Sequence, residues 1–295
     1  MRDKTLPGLA CGLGAASIWG GMYVVSKVVL DVIPPFTLLT IRLVMGALVL
    51  AAVTLLSGKK NFGRDHFRSS LLVGFVGYGI SLAFQFVGTK LSTASNGALV
   101  TSATPAFVLL FAPLLLNERP TARHVIALIA STLGVLAVID PRRADFSSSL
   151  FLGNLSLLSA ALTWALYSVL VRKVSANVDL LASASVMLAA GVPSSILFSV
   201  FELKTQAVGE ITLGIIAGVL FLGIISTALA MLLWNYAFAQ LPAASASLTF
   251  FAQPVVGILL GWFFLGEKIT PLFLLGGVLI GVGILISAKI SCISH

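Results

Sequence analysis

The stretch ASNGALVTSATPAFVLLFAPLLLNERPTARHVIALIASTLGVLAVID, Ala94 to Asp140, decides the reading of this chain, because the chain writes it twice. An apolar run containing Phe107-Val108-Leu109-Leu110-Phe111 meets a polar break, Asn117-Glu118-Arg119-Pro120-Thr121, and a second apolar run follows through Gly134 to Ile139. At a shift of 149 positions Pro105 falls on Pro254, Glu118 on Glu267, Arg119 on Lys268, Thr121 on Thr270 and Gly134 on Gly283. Each copy is a pair of membrane-length apolar segments joined by a tight acidic-basic turn, whose closing Thr suits a helix N-cap. A second correspondence, at a shift of 145, sets Ala15-Ala16 and Trp19 on Ala160-Ala161 and Trp164. In a membrane chain, repetition on this scale points to a transporter made of two related halves.

Composition agrees with a membrane setting. Of the 295 residues 58% are hydrophobic and 9% charged, against about a quarter charged in a soluble domain. With a mean hydropathy of +1.08, a soluble fold would have to expose far too much apolar surface. The net charge of +8 comes with no basic stripe or stacking platform, so nucleic acid is not an expected partner. Cys11 and Cys292 give neither a disulfide framework nor metal-ligand spacing, and no cofactor is expected. The start, Met1-Arg2-Asp3-Lys4 before an apolar run, resembles a signal peptide. The match of Trp19 to Trp164 argues that this first helix is retained, since a cleaved leader should have no partner inside the chain.

A bilayer core takes about 20 mostly apolar residues per helix. On that measure the chain is all-α, with ten transmembrane helices at 6–30, 35–57, 68–90, 93–116, 121–140, 149–172, 179–201, 211–239, 243–265 and 270–289. Strands are not expected, because the apolar runs are continuous and far longer than the alternating segments of a membrane barrel. Two halves are expected, 1–145 with helices 1 to 5 and 146–295 with helices 6 to 10. Five is odd, so the second half should enter the membrane in the opposite sense to the first. Eleven Lys and Arg fall on the N-terminal side of these spans against six on the other, which favours both termini in the cytoplasm. Inverted halves in turn imply alternating access around a site between them.

All ten acidic residues, including Glu118, Glu202 and Glu267, lie in or beside expected loops, and His124 sits in the first turn of a helix. Intramembrane carboxylates or histidines are the usual means of coupling transport to protons, so movement should be facilitated or weakly coupled. The same distribution offers no nucleophile with its base and no metal-ligand set, which argues against an enzyme. Arg42 is the one cation well inside a helix. There a central Arg costs about 2.5–3.5 kcal/mol on insertion scales. It should snorkel or satisfy helix-end carbonyls; the sharper reading has it face a cavity and meet a substrate carboxylate. Lys27 and its counterpart Arg172 read as snorkelling anchors.

Polar and aromatic side chains within apolar helices carry the remaining signal. Trp19 and Tyr23 share a face at i, i+4, and Trp164 and Ser168 repeat that spacing in register. Helix 3 holds Tyr78 and Gln85. Helix 4 holds Ser95, Asn96 and Thr101 before Pro105, helix 8 holds Trp234 and Asn235, and helix 9 holds Thr249 and Gln253 before Pro254. A lone Ser or Thr usually bonds a neighbouring helix or its own backbone, whereas Asn96, Asn235 and Gln253 need partners in lipid and should face inward. The substrate-binding set expected is therefore Trp19, Tyr23, Tyr78, Gln85, Ser95, Thr101, Trp164, Ser168, Trp234, Asn235, Thr249 and Gln253. Pro105 and Pro254 should bend their helices at matching depths. The glycines at 74, 77 and 79, and at 276, 277, 281 and 283, read as devices for close helix packing.

These features together resemble the EamA-type exporters of the drug/metabolite transporter superfamily. The resemblance spans essentially the whole chain. It rests on Trp19-Gly20, Arg42-Leu43, Pro105 and the turns Glu118 to Thr121 and Glu267 to Thr270. It is greatest to bacterial exporters of aromatic and other neutral amino acids. What it implies is an inner-membrane carrier whose cavity is lined by helices 1, 3, 4, 6, 8 and 9, with Trp19, Tyr78, Ser95, Trp164 and Trp234 as cavity residues. The substrate would be a small molecule, an amino acid taken with broad specificity, and the surroundings a lipid bilayer. A monomer is the favoured assembly, with a dimer as the alternative. The competing expectation is a nucleoside, nucleotide-sugar or cationic-compound carrier on the same fold. Intramembrane Lys and Arg clusters would mark the nucleotide-sugar case and a mid-membrane Glu the cationic one.

Overall fold

The computed structural model describes residues 5–57, 63–92, 97, 100–139, 150–175, 179–265 and 271–293. These form ten rods: α1 (Thr5–Leu30), α2 (Pro35–Leu56), α3 (Arg64–Leu91), α4 (Thr104–Leu116), α5 (Ala122–Ile139), α6 (Phe151–Val174), α7 (Leu180–Glu202), α8 (Leu213–Gln240), α9 and α10 (Pro271–Ile293). Rod α9 is a composite of Ala243–Leu248, a 3₁₀ turn Thr249–Phe251, and Ala252–Leu265. Six of the rods are long and apolar enough to cross a membrane by themselves. Large apolar side chains such as Leu55, Leu114 and Phe263 stand exposed on the outside of the bundle, as a lipid-facing surface requires.

Local chemistry sets the rod ends. Pro35 starts α2 at a position where its missing N–H costs nothing. The Asp179 carboxylate accepts from the N–H groups of Leu181 and Ala182 at 3.0 and 3.2 Å, and Thr212 caps α8 through the N–H of Ile215. Asn117 ends α4 in the left-handed region at φ 56°, a conformation Asn tolerates through its short polar side chain. Two caps cross between halves. Glu202 at the end of α7 accepts from the N–H groups of Phe36 and Thr37 of α2, and Glu118 accepts from the N–H of Ala243 at the start of α9.

The packing is unchanged when the halves are exchanged. α1 lies against α8 and α9, and α6 correspondingly against α3 and α4; α2 packs on α7, and α5 on α10. The correspondence reaches single residues. A methyl group on Gly46 of α2 would come within 2.8 Å of Thr227, and one on Gly191 of α7 within 2.8 Å of Tyr78. Gly46 and Gly191 are related by the 145-residue shift, Tyr78 and Thr227 by the 149-residue shift. Both crossings are too tight for a side chain at this position, Gly46 against the Thr227 side chain and Gly191 against the backbone of Tyr78. With five rods per half, the halves run in opposite senses.

Three features depart from the sequence reading. α3 and α8 each contain a π-helical stretch, Phe75–Ser81 and Phe221–Leu229, at overlapping repeat positions. The prolines mark breaks rather than bends. A turn at Ser102 and Ala103 precedes Pro105 in α4, and the 3₁₀ turn precedes Pro254 in α9. Finally, Gly277 and Gly281 have nothing within 4 Å of an added methyl group, so they pack against no helix among the described residues. By contrast, Gly74, Gly77 and Gly283 are tight against Met187, Tyr167 and Ser131.

Candidate substrate site

Rod α1 crosses the middle of the bundle and brings Trp19 among three other rings. Its indole lies 5.6 Å from Trp164 of α6 in a T-shaped pair, 5.3 Å from Trp234 of α8 and 6.0 Å from Phe250 of α9. Such edge and tilted contacts are favourable aromatic geometries. Beside this cluster, between the halves, lies a partly open cleft with a cavity volume of about 30 Å³. Its walls are Trp19 and Met22 (α1), Ser81, Leu82 and Gln85 (α3), Thr101 with Thr104 of α4, Ala160, Ala161 and Trp164 (α6), Met231 (α8), and Phe250 and Gln253 (α9). No charged side chain lines it among the described residues.

Three wall atoms are buried without a hydrogen-bond partner: Trp164 Nε1, Thr104 Oγ1 and Gln253 Oε1. One is a donor, one a hydroxyl and one an acceptor. Native interiors seldom leave such groups unmet, and each then calls for a reason. Thr104 and Gln253 occupy repeat-equivalent positions, 149 apart. The two indoles also correspond but differ in bonding. Trp19 Nε1 donates to the carbonyl of Ser226 at 3.0 Å, while Trp164 has no partner.

Toward the face that holds the start of α1, the space is closed by a dense layer. Tyr78 and Tyr167 share a 2.5 Å hydrogen bond, Tyr167 donates to Asn235 Oδ1 at 2.6 Å, and Trp234 Nε1 donates to Ser168 Oγ at 3.0 Å. All five side chains are fully buried. Beyond them Arg172 Nε pairs with Glu118 Oε1 at 2.5 Å, and Arg172 Nη1 donates to the carbonyls of Phe238 and Ala239. Toward the opposite face stands a thinner polar layer. Gln85 Nε2 donates to Tyr23 Oη at 3.0 Å, and Tyr23 bonds Thr101 Oγ1 at 3.2 Å. The pair Gln85–Tyr23 corresponds by the two shifts to Trp234–Ser168. Lys27 then donates to the carbonyls of Thr89 and Ser92, as Arg172 does at the other end. Both cations thus close helix C-termini, favoured by the helix dipole, and Arg172 is ion-paired as well. Neither is a free snorkelling anchor.

Of the twelve residues expected at the site, Trp19, Gln85, Thr101, Trp164 and Gln253 line the space, and Tyr23 holds two of them in place. Tyr78, Ser168, Trp234 and Asn235 form the closing layer one turn deeper. Thr249 bonds the carbonyl of Ala246 and packs against Gly12, away from the space, and Ser95 lies outside the described residues. Met22, Ser81, Leu82, Thr104, Met231 and Phe250 were not anticipated. Applying the 149-residue shift to Gln253 would have found Thr104.

Arg42 is fully buried, not snorkelled. Its Nε donates to the carbonyl of Leu222 at 3.2 Å and to Thr227 Oγ1 at 3.0 Å, and Nη2 to Ser226 Oγ at 3.2 Å. It therefore meets the π-helical stretch of α8 rather than a helix end. His124, at the start of α5, accepts the N–H of Thr121 on Nδ1. Its other nitrogen then carries the proton and donates to Ser245 of α9 at 3.1 Å.

Two inverted five-helix halves around a central, uncharged, incompletely satisfied polar space have the architecture of a membrane transporter. The model of the EamA-like transporter family matches residues 6–139 and again 151–288, and the chain belongs to that family. It is 29% identical over 274 residues to the uncharacterized transporter YoaV of Bacillus subtilis (strain 168), covering 90% of this chain and 91% of that protein. It is 25% identical to an uncharacterized transporter of Archaeoglobus fulgidus, covering 90% and 92%. A solved crystal structure superimposes with a TM-score of 0.80 over 96% of this chain and 98% of its own, at 20% identity; that likeness concerns the fold alone.

Proposed function

We propose that this transporter exports amino acids, aromatic and other neutral ones, across a bacterial inner membrane with both termini in the cytoplasm. The observation that carries the reading is the set of orphaned polar atoms, Trp164 Nε1, Thr104 Oγ1 and Gln253 Oε1, in an uncharged chamber whose other walls are aromatic, apolar or polar groups such as Ser81, Gln85 and Thr101. Aromatic walls suit a planar or bulky side chain, and a few scattered donors and acceptors suit the polar end of a zwitterion. With no charge in the wall, affinity is modest and selectivity broad, as an overflow route requires. Movement follows the unequal bonding of the two indoles. In the opposite state Trp164 Nε1 would take the carbonyl of Gly77, the repeat counterpart of Ser226, and Trp19 would be released into the chamber. Counterflow into proteoliposomes of the purified chain tests this, with labelled phenylalanine, tryptophan and leucine beside a nucleoside, a nucleotide sugar and a cationic dye. Exchange of the amino acids is the expected result. Exchange of the nucleoside, nucleotide sugar or dye alone overturns it.

A further inference from the structure

The guanidinium of Arg42 lies at full burial inside the bundle with only neutral partners. A carbonyl, two hydroxyls, the sulfur of Met22 at 3.6 Å and the ring of Phe86 at 4.9 Å surround it. No carboxylate pairs with it among the described residues, and Nη1 has no hydrogen-bond partner at all. The fold does not demand a cation there. By the 145-residue shift Arg42 corresponds to Met187, as Leu43 does to Leu188 and Gly46 to Gly191. Met187 is just as buried at the equivalent crossing of the other half. One half thus packs this position with an apolar side chain, and the other places an unneutralised positive charge in it.

That charge stands directly behind the chamber wall. Met22 both lines the chamber and contacts Nη2. Trp19, the next wall residue, bonds the main chain of Ser226, whose hydroxyl accepts from Nη2. We propose that Arg42 is the specificity-determining residue of the carrier: it selects substrates bearing one carboxylate, reached when Met22 swings aside. The inference rests on the amino-acid reading above and refines it. A guanidinium presents planar donors matched to a carboxylate, and in a low-dielectric interior an approaching anion gains far more than it would in water. Bound substrate would supply the counter-charge that the protein omits.

The test uses the full chain in proteoliposomes and three compounds with one ring: phenylalanine, 3-phenylpropionate (no ammonium) and phenethylamine (no carboxylate). Each competes against labelled phenylalanine counterflow. The wild type should be inhibited by phenylalanine and 3-phenylpropionate at concentrations at least ten-fold below those needed for phenethylamine. Arg42→Gln should erase that difference by weakening the two carboxylates while leaving phenethylamine unchanged, and Arg42→Lys should restore part of it. Should Arg42→Gln fail to fold, as judged by gel filtration and thermal unfolding, Met22→Ala is the second variant. It shortens the path to the guanidinium and should improve 3-phenylpropionate several-fold relative to phenethylamine. Equal potency of phenethylamine and phenylalanine in the wild type overturns the role of Arg42 and leaves the carrier reading standing. Absence of any exchange of labelled phenylalanine by the wild type overturns both.

Discussion

Thr104 is buried at the chamber wall with an unmet hydroxyl, so its replacement separates folding from binding. Valine keeps the shape and removes the polar atom. Because that atom bonds nothing in the protein, Thr104→Val should leave the unfolding temperature unchanged or raise it, by up to about 1 kcal/mol of stability. If the hydroxyl serves substrate, its loss should lower transport efficiency roughly 2- to 12-fold, the equivalent of about 0.5–1.5 kcal/mol. Tyr167→Phe gives the contrasting case. It breaks the bonds to Tyr78 and Asn235 and strands buried groups, which costs about 1–3 kcal/mol. Calorimetry beside counterflow reads both variants. At this scale the sequence was half legible. Trp19 and Trp164 could be found because the repeat pairs them and large indoles stand out in an apolar run. Thr104 was within reach only through the repeat, as the counterpart of Gln253 149 positions on; taken alone, a single Thr in a membrane helix ordinarily bonds its own backbone, and the absence of such a bond in space is what distinguishes it. Arg42 was conspicuous, but its acceptors come from a stretch 180 residues away, and no spacing rule reaches that far.

Among the elements, the broken rods α4 and α9 and the turn after α4 matter most. Glu118 ties three pieces together: Arg172 of α6, the N–H of Ala243 at the start of α9 and, through Arg172, the last carbonyls of α8. This bonding joins α6, α8 and α9 on the side that holds the start of α1, and it is expected to hold that face shut. Glu118→Gln keeps an acceptor for Ala243 and removes the ion pair. The two partners are 25% and 28% exposed, so solvent limits the pair to about 1 kcal/mol, a shift of roughly five-fold between closed and open states. Spin labels at Arg119 and Gln240 should report a longer-distance population that is larger in the variant; an unaltered distance distribution would remove Glu118 from the closure. The turn itself was plain in the sequence, since Glu118 and Glu267 repeat. Its reach across halves was not, because a capping carboxylate near in space need not be near in the chain. The π-helical stretches were equally hidden: they change the register of backbone hydrogen bonds without needing any distinctive residue.

For the molecule as a whole, the decisive property is that exchanging the halves maps the packing onto itself, although five rods per half forces opposite directions. That much followed from the repeat and from counting apolar runs, whose length is set by the bilayer rather than by tertiary detail. What counting could not supply is the inequality of the halves. They share one architecture yet hold it differently: Trp19 bonded and Trp164 free, Gln85–Tyr23 over one side of the chamber and Trp234–Ser168 under the other. An inverted-repeat carrier is expected to exchange such arrangements as it turns. The most direct measurement places one reactive thiol in the chamber, Thr104→Cys in a background with Cys11 and Cys292 changed to Ser, and treats oriented vesicles with a membrane-impermeant maleimide from each side in turn. Labelling from both sides, in proportions that shift when a transported amino acid is added, is the result this account predicts; labelling from one side only, indifferent to substrate, would contradict it.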